Sequence, residues 1–127
     1  MHKFLIAMTL IFCAHSALAQ SCIGGTIITG HDTTRSFCIS NNNMNWWTAH
    51  QWCAGNGRVL AHPDNLCNYN GESWFIGNGG CPNFSNKQQL NNAWTSLALH
   101  SNVAVKAHGG GTNTSPRDDT RFQTVCE

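Results

Sequence analysis

The chain predicts an α+β domain stapled by disulfides. Three observations lead there: an apolar leader that ends at a cleavage-type tripeptide, an even set of cysteines beyond it, and a tryptophan-rich helix set between strand-like segments.

The leader comes first. His2 and Lys3 give a short polar start, and residues 4–14 are an apolar run too short to span a membrane. Ala17-Leu18-Ala19 fits the small-x-small cleavage rule, so residues 1–19 read as a signal peptide and residues 20–127 as a single domain. Export places the protein outside the cell, on its surface or in a periplasm. Of seven cysteines, Cys13 leaves with the signal. Cys22, Cys38, Cys53, Cys67, Cys81 and Cys126 remain, and an even number in a small exported chain reads as a disulfide framework. A zinc site wants close pairs such as C-x2-C, and no two of these lie that near.

Residues 26–29 and 36–39 are strand-like, with turn chemistry at Gly30-His31-Asp32-Thr33, so the domain opens on a hairpin. Cys22 and Cys38 sit near its open end and could pair across it. One main helix follows. Asn45 suits its N-cap, Trp46, Ala49 and Cys53 recur on one face, and Gly55 and Gly57 can end it. A cysteine on the buried face of so short a helix reads as an anchor for a distant cysteine. Val59-Leu60 begins another strand, and Pro63 starts a short second helix.

Residues 68–92 are rich in Asn and Gly, with Trp74, Phe75, Ile76 and Phe84 embedded and no persistent period. So long an irregular loop in a small domain is usually functional or strongly tied down, and Cys67 and Cys81 could tie its base. Residues 93–97, 102–107 and 121–126 read as strands in small antiparallel sheets, and residues 108–116 as a Gly/Thr/Asn turn region. Trp46, Trp47, Trp52 and Trp94 are assigned to the core.

In this order the residues resemble the C-type lectin-like domain family. The resemblance rests on the hairpin with Cys22 and Cys38, on Trp46-x-x-Ala49-x-x-x-Cys53, on Gly57 and Leu60, and on the closing Val125-Cys126-Glu127. The doubled tryptophan and compact length are closer to bacterial and phage members than to animal lectins. The resemblance implies a Cys22–Cys38 pair and a Cys53–Cys126 pair, leaving Cys67 and Cys81 for each other inside the loop. Sugar-binding members carry a Glu-Pro-Asn or Gln-Pro-Asp tripeptide in the long loop and a later Trp-Asn-Asp. Here Cys81-Pro82-Asn83 puts cysteine in place of the acid, and Trp-Asn-Asp is missing. Calcium needs six to eight oxygens, so Glu72, Asp118 and Asp119 fall short and no metal or cofactor is expected.

Arg35, Arg58, Lys87, Lys106, Arg117 and Arg121 balance Asp32, Asp64, Glu72, Asp118, Asp119 and Glu127. No basic face exists for nucleic acid, and no second apolar stretch follows the leader. No H-E-x-x-H, G-x-S-x-G or P-loop occurs, so the chain is not expected to be an enzyme; a small exported hydrolase is the least favoured reading. The expected function is a secreted or surface recognition and adhesion module that binds a protein or glycan without calcium. Trp74, Phe75, Asn78 and Asn83 are its candidate ligand-binding residues, because aromatic rings and adaptable amides in a loop suit recognition. The alternative is a structural subunit of a surface appendage or envelope assembly.

Overall fold

The computed structural model describes residues 19–29, 36–67, 91–108 and 111–127. The fold is α+β: six strands form one mixed sheet, with two helices packed beside it. Strands β1 (Gly25–Thr29) and β2 (Ser36–Ser40) form the expected antiparallel hairpin. Helix α1 (Trp46–Gly55) and helix α2 (Pro63–Leu66) follow. Strands β3 (Ala93–His100), β4 (Val103–His108), β5 (Gly111–Pro116) and β6 (Gln123–Cys126) complete the order β1-β2-β6-β3-β4-β5.

The last strand organises the sheet. Val125 and Cys126 pair antiparallel with Ile39 and Cys38 of β2, while Gln123 and Thr124 pair parallel with Ala93 and Trp94 of β3. One four-residue strand therefore joins the hairpin to the β3-β4-β5 meander. This corrects the expectation of small, purely antiparallel sheets, since the β3–β6 contact is parallel. The buried side chains Phe37, Ile39, Trp94, Ala104 and Val125 follow from these pairings.

Helix α1 forms as its sequence dictates. The Asn45 side chain accepts from Thr48 N at 2.8 Å, closing the first turn. Trp46, Ala49 and Cys53 are the buried positions, three and four residues apart on one face. Gly57, at φ +66°, takes the left-handed conformation that turns the chain out of the helix. Pro63 opens α2, and Glu127 holds that end in place: its carboxylate accepts from His62 N and Asn65 Nδ2 at 3.1 and 2.7 Å.

Two disulfides converge on one spot. Cys22–Cys38 closes the hairpin, and Cys53–Cys126 ties α1 to β6. Cys38 and Cys126 are also register partners across β2 and β6, so hairpin, helix and last strand meet there. Such bonds imply an oxidising environment. Cys67 is buried and disulfide-bonded, while Cys81 lies outside the described residues. Residues 1–18, where the signal peptide over residues 1–19 is expected, lie outside them as well.

Two local expectations change. Residues 111–116 are a strand, paired with β4 from Val103↔Pro116 to His108↔Gly111, where a turn was expected. Gly, Thr, Asn and Ser dominate it, so it lacks an apolar alternation. Val59-Leu60 does not extend into a named strand. Leu60 makes a single bridge to Cys126, and the chain then enters α2 at Pro63.

The hairpin also sets a tight seat. A Cβ on Gly25 would lie 2.5 Å from the Ile39 carbonyl oxygen and 3.0 Å from both Cys22 Sγ and the Trp52 ring. Gly25→Ala is therefore expected to lower stability by about 1–3 kcal/mol through overpacking. Chemical denaturation checks this; an unchanged midpoint would mean that β1 shifts away from the Ile39 carbonyl and the Trp52 ring at no cost.

Candidate functional site

The outward face of α1 is the most unusual surface in the described residues. A surface helix normally turns charged residues to solvent. Positions 46–55 contain no Asp, Glu, Lys or Arg, and the exposed ones are Trp47, Thr48, His50, Gln51, Ala54 and Gly55. Partial desolvation of the His50 imidazole lowers its pKa from the ordinary value. The His50 ring stands edge-on to Trp46, with centroids 4.2 Å apart.

The doubled tryptophan splits between two environments. Trp46 points inward and donates from Nε1 to Thr95 O at 2.9 Å. Trp47 lies one residue, or about 100°, further round the helix, and is 50% exposed. This corrects its assignment to the core. Its indole is nevertheless fixed: Nε1 donates to Asp118 Oδ1 at 2.7 Å, and the Arg117 guanidinium lies 5.0 Å from its ring centroid. The same guanidinium lies 5.0 Å from the Trp46 ring and donates from Nη2 to His100 O at 2.9 Å. Arg117 is buried, with Nε unpaired by hydrogen bonds, so the two indoles supply much of its compensation.

Further round α1 from Trp47 lies a shallow, open groove of about 490 Å³, lined by Ile23, Thr48, Gln51, Trp52, Gly55 and Asn56. Thr48, Gln51, Trp52 and Gly55 follow i, i+3, i+4, i+7 spacing, so one helical stripe makes one wall. Asn56 fixes the other wall: its Oδ1 accepts from Ser21 Oγ and Ile23 N at 3.0 and 2.7 Å, and its Nδ2 donates to Trp52 O at 3.1 Å. Ile23 is 77% exposed at the rim. A second concavity of about 370 Å³ lies over β1, β2 and β6. Its polar groups are largely engaged already, with Ser40 Oγ donating to Asn42 O, Gln123 Nε2 donating to Ser40 O, and Asn41 Oδ1 accepting from Thr26 Oγ1.

Trp74, Phe75, Asn78 and Asn83, the residues singled out for binding, lie outside the described residues, as does Glu72. Asp118 and Asp119 are exposed in the turn after β5, and Asp118 is engaged by Trp47. Among the described residues no three His, Cys, Asp or Glu side chains gather closely enough to hold a metal ion, and no helix is long and apolar enough to cross a membrane. Comparison with family models, with curated proteins and with solved structures finds no match to this chain.

Proposed function

We propose that this protein is an exported recognition module of the C-type lectin-like class. It acts by binding a protein or glycan on a cell or envelope surface, without calcium and without catalysing a reaction. The observation that carries the reading is the uncharged, tryptophan-bearing outer face of α1, where Trp47 is displayed yet held by Asp118 and Arg117. A ring already fixed in place loses little entropy on binding. The class reading is supported by the hairpin bond and the bond from helix to last strand, which are the two pairings the family resemblance implies.

The test is a binding screen of the oxidised protein against immobilised glycans and purified surface proteins, with and without chelator. Capture is expected to be insensitive to chelator and to weaken by about tenfold or more in Trp47→Ala, as for an aromatic anchor. Chelator-sensitive capture would overturn the calcium-free reading. Capture unchanged in Trp47→Ala would remove this ring from the contact, and ordered oligomers with no capture would favour an assembly subunit.

A further inference from the structure

We propose that the outer edge of β1 is a self-association surface, where a second copy of this chain pairs strand to strand about a twofold axis at Ile27. The inference is independent of the recognition reading above. It starts from the place of β1 in the sheet. β1 pairs with β2 on one side and ends the order β1-β2-β6-β3-β4-β5, so among the described residues its other side is an open edge.

The register tells which backbone groups stand on that edge. Asn41 N donates to Gly24 O at 2.9 Å, and these two lie one step beyond the Gly25↔Ser40 pair. In an antiparallel ladder, positions that exchange bonds alternate with positions that do not. Thr26 and Ile28 therefore bond to β2, while Gly25, Ile27 and Thr29 turn their backbone groups outward. Gly25 N is already used, donating to Cys22 O at 3.3 Å. The edge that remains offers the Gly25 C=O and both backbone groups of Ile27 and Thr29, and among the described residues nothing else bonds to them.

Natural sheet edges are blunted by charges, by proline or by bulges. β1 reads Gly-Thr-Ile-Ile-Thr and has neither charge nor proline, and its register with β2 runs without a bulge. Ile27 is 48% exposed. It shares the face on which a Cβ of Gly25 would meet Cys22 and Trp52, which is the side that carries α1.

What selects a second copy over another extended chain is the symmetry of these groups. Two identical strands that meet antiparallel by the same edge are related by a twofold axis normal to the sheet, which keeps each face on its own side. Centred on Ile27, that axis sets Ile27 against the partner's Ile27, with each N–H facing the other's C=O. It also brings the Thr29 N–H to the C=O of the partner's Gly25, and the reverse. Every free N–H on the edge thus meets a free C=O. The two Ile27 side chains form an apolar cross-strand pair over the axis, and no like charges meet. Both α1 helices then lie on the same side of one continuous sheet, so the Trp47 faces are presented in pairs, which raises avidity for any ligand that repeats on a surface.

A strand of 5 residues is a small contact, so the association is weak and depends on concentration. The oxidised protein is followed by analytical ultracentrifugation from about 10 μM to about 1 mM. A reversible monomer–dimer equilibrium is expected. Ile27→Lys and Ile27→Glu should each weaken the dimer by about tenfold or more, because each sets like charges across the axis. An equimolar mixture of the two variants should restore it, since only a residue that faces itself can pair its Lys form with its Glu form. Amide exchange in the unaltered protein tests the same contact without any variant: the Ile27 N–H should exchange more slowly at the high end of the range. The inference is overturned by a monomer over the whole range, by a dimer that survives Ile27→Lys, by a mixture that stays monomeric, or by an Ile27 N–H whose exchange ignores concentration. Growth beyond the dimer would also overturn it, since β1 would then be meeting a different edge.

Discussion

Replacing Cys53 and Cys126 together by alanine is expected to lower the unfolding free energy by about 4 kcal/mol. The two cysteines are 73 residues apart in sequence, and cross-linking so long a loop removes much of the freedom of the unfolded chain. The same argument gives the Cys22–Cys38 bond, with a separation of 16, about 3 kcal/mol. The structure adds a reason for the ordering. Cys53 and Cys126 are both fully buried, and their bond ties α1 to the strand that joins the two parts of the sheet. Cys22 is partly exposed and closes a hairpin that is already paired over five register positions. Urea unfolding of the two double-alanine variants measures both terms. A larger loss for the hairpin pair would mean that β6 holds its place without the helix.

Much of this frame was legible because each element had a local cause. Asn45 could cap, Trp46, Ala49 and Cys53 could share a face, and Pro63 could start a helix; all three are seen. Strand β5 was not legible, since Gly111, Thr112, Asn113 and Thr114 supply neither alternation nor apolar bulk, and their pairing with β4 is decided by the neighbour. Nor does local pattern reveal the parallel contact of β3 with β6, which depends on residues far apart in the chain. The α1 site was hidden for a different reason. Tryptophans on a short helix are assigned to the core by default. Two signals were nevertheless present: adjacent tryptophans cannot both face inward on a helix, and residues 46–55 contain no charge. Trp52 and Ile23 meet only once the hairpin is placed, so the groove is a tertiary feature.

Trp46→Ala and Trp47→Ala separate the two sides of the helix. Trp46→Ala is expected to lower stability by about 3–5 kcal/mol. The ring is 7% exposed, belongs to the same buried cluster as Ala49, Cys53 and Trp94, and lies 5.0 Å from the Arg117 guanidinium. Its removal leaves a cavity and strips the buried Thr95 carbonyl of the bond from Nε1 at 2.9 Å. Arg117 would also lose one of the two indoles that compensate a buried charge whose Nε is unpaired. Trp47→Ala removes the other indole and the exposed bond to Asp118, with little change in packing, and is expected to lower stability by about 1 kcal/mol. Denaturant unfolding of both variants tests the contrast. A loss under about 1 kcal/mol for Trp46→Ala would place that ring at the surface and reverse the helix face. A loss as large for Trp47→Ala as for Trp46→Ala would mean that Arg117 depends on both rings equally, and that Trp47 serves the fold before it serves any ligand.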